Sequence, residues 1–170
     1  NLKGKFTVSP KGIICRSMRV KTAESDLRLH ASIKTTSWKT YSYFIDSADC
    51  FLFLQKGSKA GLKDATYWAP MLKGFDQKCE VGAIIKGTVA DAKCSFLEVK
   101  TGDTYIKGKG YVKGLPDMEK TVFDVQLDEL RSSSEDFNKI EFGQMLANVK
   151  LPELLHSLGQ INAKAEFKGL

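Results

Sequence analysis

Over residues 84–130 apolar and polar side chains alternate with a period of two, which restricts this chain to half-buried β-strands. Leu97, Val99 and Thr101 share one face while Glu98 and Lys100 take the other. Ile106 and Val112 share theirs with Gly108 and Gly110, opposite Tyr105, Lys107, Lys109, Tyr111 and Lys113. Phe123, Val125 and Leu127 alternate with Asp124, Gln126 and Asp128. Gly102-Asp103 and Gly114-Leu115-Pro116-Asp117 are turn sequences between these runs, so an antiparallel meander is the natural connection. One face is apolar and the other is cationic.

The same grammar governs the earlier chain. Residues 2–8 read as a strand, Ser9-Pro10-Lys11-Gly12 as a β-turn with Pro second and Gly fourth, and residues 13–21 as the returning strand. After a turn at residues 22–25, Leu27, Leu29, Ala31 and Ile33 face inward, and Arg28, His30, Ser32 and Lys34 face out. Residues 41–54 are rich in aromatic and β-branched types and predict further strand. Their Phe51-Leu52-Phe53-Leu54 run is apolar on both faces, which calls for cover on both sides. A flexible connector is expected over 57–61, an irregular or helical stretch over 62–68, a helical turn at 70–74, and strand again over 78–87. Further on come a polar loop at 131–136, one more strand at 137–142, and the clearest helix at 151–159. That helix opens near Pro152, keeps Leu151, Leu154, Leu155 and Leu158 on one face, and stops at Gly159.

Composition then excludes whole classes of function. The net charge of +6 comes largely from lysines on polar strand faces, the pattern of a solvated surface. The basic residues are not clustered on one element and no aromatic RNA-binding motif occurs, so nucleic acid is not an expected partner. No apolar run reaches the length of a membrane-spanning helix, and no signal peptide is evident. The chain begins in strand-like sequence, which reads as an excised piece of a longer protein. Cys15, Cys50, Cys79 and Cys94 show neither CxxC spacing nor a nearby histidine, which argues against zinc. Two disulfides are possible in an exported protein, though a chain of 170 residues does not need them. His30 on a strand and His156 on a leucine-rich helix have no Ser or Cys beside them in sequence. With no nucleophile elbow, phosphate loop or metal pattern, the expectation is no enzyme, no metal and no cofactor.

Self-comparison reveals weak repetition. A shift of 79 places Cys15 on Cys94, Val20-Lys21-Thr22 on Val99-Lys100-Thr101 and Ile33-Lys34 on Val112-Lys113. A shift of 82 places Gly61 on Gly143, Ala65 on Ala147, Pro70 on Pro152, Ala83 on Ala165 and Lys86-Gly87 on Lys168-Gly169. The chain then divides into repeats at about 1–78, about 79–160, and the start of a third at about 161–170. Equivalent cysteines in neighbouring units, Cys15 and Cys94, would stand four strands or roughly 19 Å apart, too far for a disulfide.

Meanders with one apolar face cannot bury it by stacking edge to edge. The expected fold is therefore mainly β: an elongated, curved antiparallel sheet of ~80-residue repeats, its apolar side forming a U-shaped groove, with short helices between repeats. A closed sandwich or barrel around an ordinary core is the alternative, and it is the one that pattern alone favours, because most half-apolar sheets are simply cores. The apolar face carries Leu27, Leu29, Ile33, Leu97, Val99, Ile106, Val112, Phe123, Val125 and Leu127.

The runs INAKAEFKG and VGAIIKG, with FLEVKTGDTYIKGKGYVKGLPDMEKTVFDVQLDEL, resemble repeats of the translocation and assembly module (TamB) family. That family belongs to the AsmA-like superfamily of bridge-like lipid-transfer proteins. The shared pattern is an apolar-x-G strand, an apolar-x-apolar-x-TG strand and turn, an x-G-x-G strand, a G-L-P turn and an F-D-apolar-x-apolar strand. The lysines, Trp68-Ala69-Pro70 and Leu151-Pro152 are most similar to Bacteroidetes-type homologues, and the likeness is strongest over 79–130. The resemblance implies an internal segment of a periplasmic "β-taco", anchored in the inner membrane and meeting a BamA-like outer-membrane partner through parts outside this chain. It implies phospholipid transport toward the outer membrane, with acyl chains against the ten apolar residues above. Assistance to outer-membrane protein assembly through exposed β-edges is the alternative it implies.

Overall fold

The computed structural model of the chain describes residues 1–65, 78–115, 117, 120–133 and 160–169, with backbone placement alone for 62, 65, 123 and 160–169. The alternating segments become nine strands: β1 (Leu2–Ser9), β2 (Gly12–Lys21), β3 (Asp26–Lys34), β4 (Asp49–Gly61), β5 (Lys78–Gly87), β6 (Asp91–Thr101), β7 (Thr104–Lys113), β8 (Val122–Ser133) and β9 (Gln160–Gly169). They form one sheet in sequence order, each strand antiparallel to its neighbours. Among the described residues β1 and β9 each pair on one side only, so the sheet is open.

Three expectations need correction, the first being the polar loop at 131–136: residues 131–133 are strand, because β8 runs on to Ser133 and pairs there with β9. Residues 41–47 are not strand: a 3-10 turn (Trp38–Tyr43) runs into α1 (Phe44–Ser47), and β4 starts at Asp49. β3 ends at Lys34, so a strand there would lack a partner for its backbone groups. The segment crosses the strand ends instead, where the Tyr41 hydroxyl donates to the Ser9 carbonyl (3.0 Å) and Ala90 N–H donates to the Ile45 carbonyl (3.0 Å). Residues 57–61 are no flexible connector, because β4 continues to Gly61. The short helix α2 (Leu62–Ala65) follows; the expected turn at 70–74, strand at 137–142 and helix at 151–159 lie outside the described residues.

What interrupts the ladder is a set of bulges. β2, β4, β6 and β8 each carry surplus residues against both neighbours, while β3, β5 and β7 carry none. A bulge bends its strand and increases local twist, so each of these four strands is bent where its surplus residues fall. Side chains satisfy the displaced backbone groups. His30 Nδ1 accepts the Ser17 N–H (3.1 Å) in the β2 bulge, where Ser17 sits at φ 50. In β4 the Ser58 hydroxyl donates to the Gln55 carbonyl (2.7 Å) and accepts the Arg28 N–H (3.1 Å). In β6 the Cys94 thiol donates to the Phe96 carbonyl (3.1 Å). Gly82 and Gly108 face such bulges at close range, and a Cβ on Gly108 would lie 2.5 Å from the Gln126 carbonyl oxygen.

A sealed core is absent among the described residues. Their buried apolar side chains are Met18, Ala48, Cys79 and Ala83, far short of what closes a sandwich of this length. Gly108→Val should therefore act on the bulge: we expect a loss of about 1–3 kcal/mol in urea unfolding with an unchanged m-value. Lys109→Ala next to it, on an exposed side chain, should stay within about 0.5 kcal/mol.

Candidate functional site

Directly opposed residues of an antiparallel pair point to the same face, so the pairing register assigns every side chain. One row runs Val8, Ile13, Ile33, Cys50, Gly87, Ala92, Val112 and the position of Phe123. The next runs Phe6, Cys15, Ala31, Leu52, Ile85, Cys94, Gly110 and Val125. A third joins Met18, Leu29, Leu54, Ala83, Leu97, Gly108 and Leu127, and a fourth holds Val20 with Leu27 and Val81 with Val99, Ile106 and Leu130. All ten apolar positions singled out from sequence thus fall on one face. None of the nine whose side chains are described is buried.

A concavity of about 570 Å³ opens on this face, bounded by residues from β3 to β8. Ile33, Leu97, Val112 and Val125 line it together with Leu52, Ile85, Ala92 and Cys94, while Val89 and Leu115 close one end from the turns. Leu27, Leu29, Val99, Ile106 and Leu127 occupy the flanking rows outside it. Leu52 and Ile85 are central to the concavity and were not among the sequence candidates. The period-two signal was present for both, but Leu52 sits in a run apolar on both faces. Nine strands at ~4.8 Å give a face roughly 38 Å long, and six residues between its outer rows give a width of about 20 Å.

The opposite face is charged and internally matched. Lys21, Asp26, Lys59, Glu80, Lys100, Tyr105 and Arg131 stand in register from β2 to β8, opposite signs adjacent through Lys100. Asp26 receives two hydrogen bonds from Arg19 (2.7 and 2.5 Å), which raise the Arg19 pKa and lower that of Asp26. Among the described residues the expected cover over Phe51 and Phe53 comes from side chains: Lys86 lies 5.6 Å from the Phe51 ring centroid and the His30 ring 5.9 Å from Phe53. Lys56 sits 4.6 Å over Phe96 and binds Glu98 (2.7 Å). A second concavity of about 540 Å³ lies at the strand ends around Glu24, Lys59, Lys78 and Lys100. Glu24 holds Lys78 there (2.9 Å), and Asp64 accepts the Ser25 and Thr22 hydroxyls (2.5 and 2.6 Å), which lower its pKa.

The four cysteines are free and lie on the apolar face; Cys15 on β2 and Cys94 on β6 are four strands apart. Burial raises the thiol pKa of Cys50, Cys79 and Cys94, which makes them weak nucleophiles. Among the described residues no three His, Cys, Asp or Glu side chains converge on a metal position, and no helix is long and apolar enough to cross a membrane. His156 lies outside the described residues. Comparison with protein-family models, curated proteins and solved structures finds no match.

The Lys56–Glu98 contact sets a pH dependence. The hydrogen bond from Lys56 holds the Glu98 carboxyl below its ordinary value, against a smaller opposing effect of burial. The contact is complete above the ordinary carboxylate pKa of about 4.3 and is lost as pH falls through the lower folded value. In a carbon-13 titration Glu98 should show a midpoint below that of an ordinary glutamate, and Lys56→Met should move it upward.

Proposed function

We propose that this chain is a periplasmic segment of an envelope bridge that carries phospholipids toward the outer membrane, their acyl chains lying in a groove along the apolar face. The observation that carries the reading is that face itself: apolar side chains in register across the sheet, half-exposed, with no second layer over them among the described residues. Its width of about 20 Å accommodates an acyl chain, which in a bilayer spans about half of a ~30 Å hydrocarbon core. The charged reverse face suits an aqueous compartment. The sequence resemblance supplies the inner-membrane anchor and the outer-membrane partner, both through parts beyond these residues.

The ~80-residue repeat belongs to the same proposal, since a conduit of this kind lengthens by adding units. Its support is the recurrence of pairing registers. The row Phe6, Cys15, Ala31 recurs as Ile85, Cys94, Gly110, and Val8, Ile13, Ile33 recurs as Gly87, Ala92, Val112, each at the shift of 79. Leu54 opposite Ala83 recurs as Leu127 opposite Ala165, the latter at the shift of 82. Two buried hydroxyls, Ser25 immediately before β3 and Thr104 at the start of β7, also differ by 79.

A charge in mid-path separates a conduit from a core. Val112→Asp and Val125→Asp should leave the protein folded, because the side chain can reach water, and should abolish photocrosslinking to a phospholipid with a diazirine on its acyl chain. In a sealed core the same unpaired charge would cost at least the ~2–7 kcal/mol of an unpaired polar group, enough to unfold a domain of ordinary stability. Unfolding of both variants, or crosslinking that survives in folded variants, would overturn the proposal.

A further inference from the structure

Three strands hold the whole net charge of the chain. β1, β2 and β3 carry Lys3, Lys5, Arg16, Arg19, Lys21, Arg28 and Lys34 against a single acid, Asp26. Seven cations less one acid give +6, the net charge of all 170 residues, so cations and acids balance over the rest. The register sets these cations side by side on the charged face: Lys3 opposite Arg19, Arg19 opposite Arg28, and Lys5 opposite Arg16. Lys34 faces Asp49, which leaves six cations to Asp26. Asp26 is bonded to Arg19 and also feels Lys21 and Arg28, while Lys3, Lys5 and Arg16 have no ion-pair partner among the described residues. All six are exposed, over an area of about 10 Å by 13 Å, close to one Debye length at physiological salt. Elsewhere on this face signs alternate, as in Lys59, Glu80 and Lys100. Like charges directly opposite one another destabilise a sheet, and an anionic partner would relieve that repulsion.

We propose that this corner of the charged face docks on the phosphate surface of an anionic phospholipid bilayer. The cations spread in two dimensions over three strands, and the phosphates of a fluid lipid surface can gather under such an array. A folded protein partner would need a fixed acidic array of matching shape. The guanidinium groups of Arg16 and Arg28 each present a fork of N–H donors that suits phosphate oxygens. Single-stranded nucleic acid also calls for open aromatic faces, and the nearest rings, Phe51 and Phe53, already carry Lys86 and His30. A small free anion calls for an enclosing site, and the concavity at the strand ends meets the patch only at Lys21 and Asp26. The docking face lies opposite the apolar groove, so bilayer contact through it does not depend on what the groove carries.

Co-sedimentation of the 170-residue chain with vesicles tests this. Binding is expected to vesicles of phosphatidylcholine mixed with phosphatidylglycerol, weakening as salt rises, and is not expected to phosphatidylcholine alone. Arg16→Gln combined with Arg28→Gln should lower the partition coefficient about tenfold or more, since each cation near such a surface contributes roughly fivefold. The same pair should keep or raise the melting temperature, because both side chains are exposed and Arg28 stands opposite Arg19. Lys59→Gln combined with Lys100→Gln removes the same charge from the sign-matched rows and should weaken binding less. Equal binding to neutral vesicles, equal loss in the two double variants, or retention of a single-stranded oligonucleotide without binding to anionic vesicles would overturn the proposal.

Discussion

The antiparallel backbone ladder is the interaction on which this molecule depends. With so few side chains buried among the described residues, the hydrogen bonds from β1 to β9 hold neighbouring strands in place, and the side-chain rows follow from their register. Cross-strand apolar pairs add about 0.2–1 kcal/mol each, repeated along every interface. Among the described residues, stability of this kind is distributed along the sheet, with no central core to concentrate it. The bulges are tolerated because His30, Ser58 and Cys94 bond to backbone groups within or beside them. They also explain close approach at Gly82 and Gly108, where the surplus residues press on the neighbouring strand.

The two faces solve different solvation problems. On the charged face, alternating signs and lysines laid over Phe51 and Phe96 keep large apolar groups partly covered. Cation–π contacts at such exposed positions contribute about 0.5–1 kcal/mol each and leave the ammonium in water. The apolar face has no such covering among the described residues. Its side chains touch one another across strands, and their outer surfaces remain available to a ligand. That asymmetry gives the lipid proposal its physical content: an acyl chain laid on this face would complete a burial that the sheet leaves half done.

Several features were legible before any coordinates. The period-two runs at 26–34, 97–101, 104–113 and 122–128 became strands with the expected side chains on the expected face. Turns at Ser9 to Gly12 and Gly102-Asp103 were readable from their Pro and Gly residues. Misreadings fell where the local pattern carries no period. Residues 41–47 have strand-like composition, yet their hydrogen-bond partners are Ser9 at the end of β1 and Ala90 in the turn between β5 and β6, which no short window contains. The continuation of β4 through Gly57 was hidden by the glycines of its bulge region.

Sequence alone therefore determined which residues of an uninterrupted run share a face, because alternation is a property of the extended backbone and needs no partner; across each bulge the parity slips, as from Cys94 to Leu97, and only the pairing shows it. Whether that face is sealed or open depends on what lies across it, and so does the identity of the hydroxyl, imidazole or thiol that answers each bulge. Those are long-range facts: Ser58 meets Arg28 and Ala90 meets Ile45 only after the sheet has assembled. The tertiary structure decided them because register, and not local propensity, brings those groups within hydrogen-bonding distance.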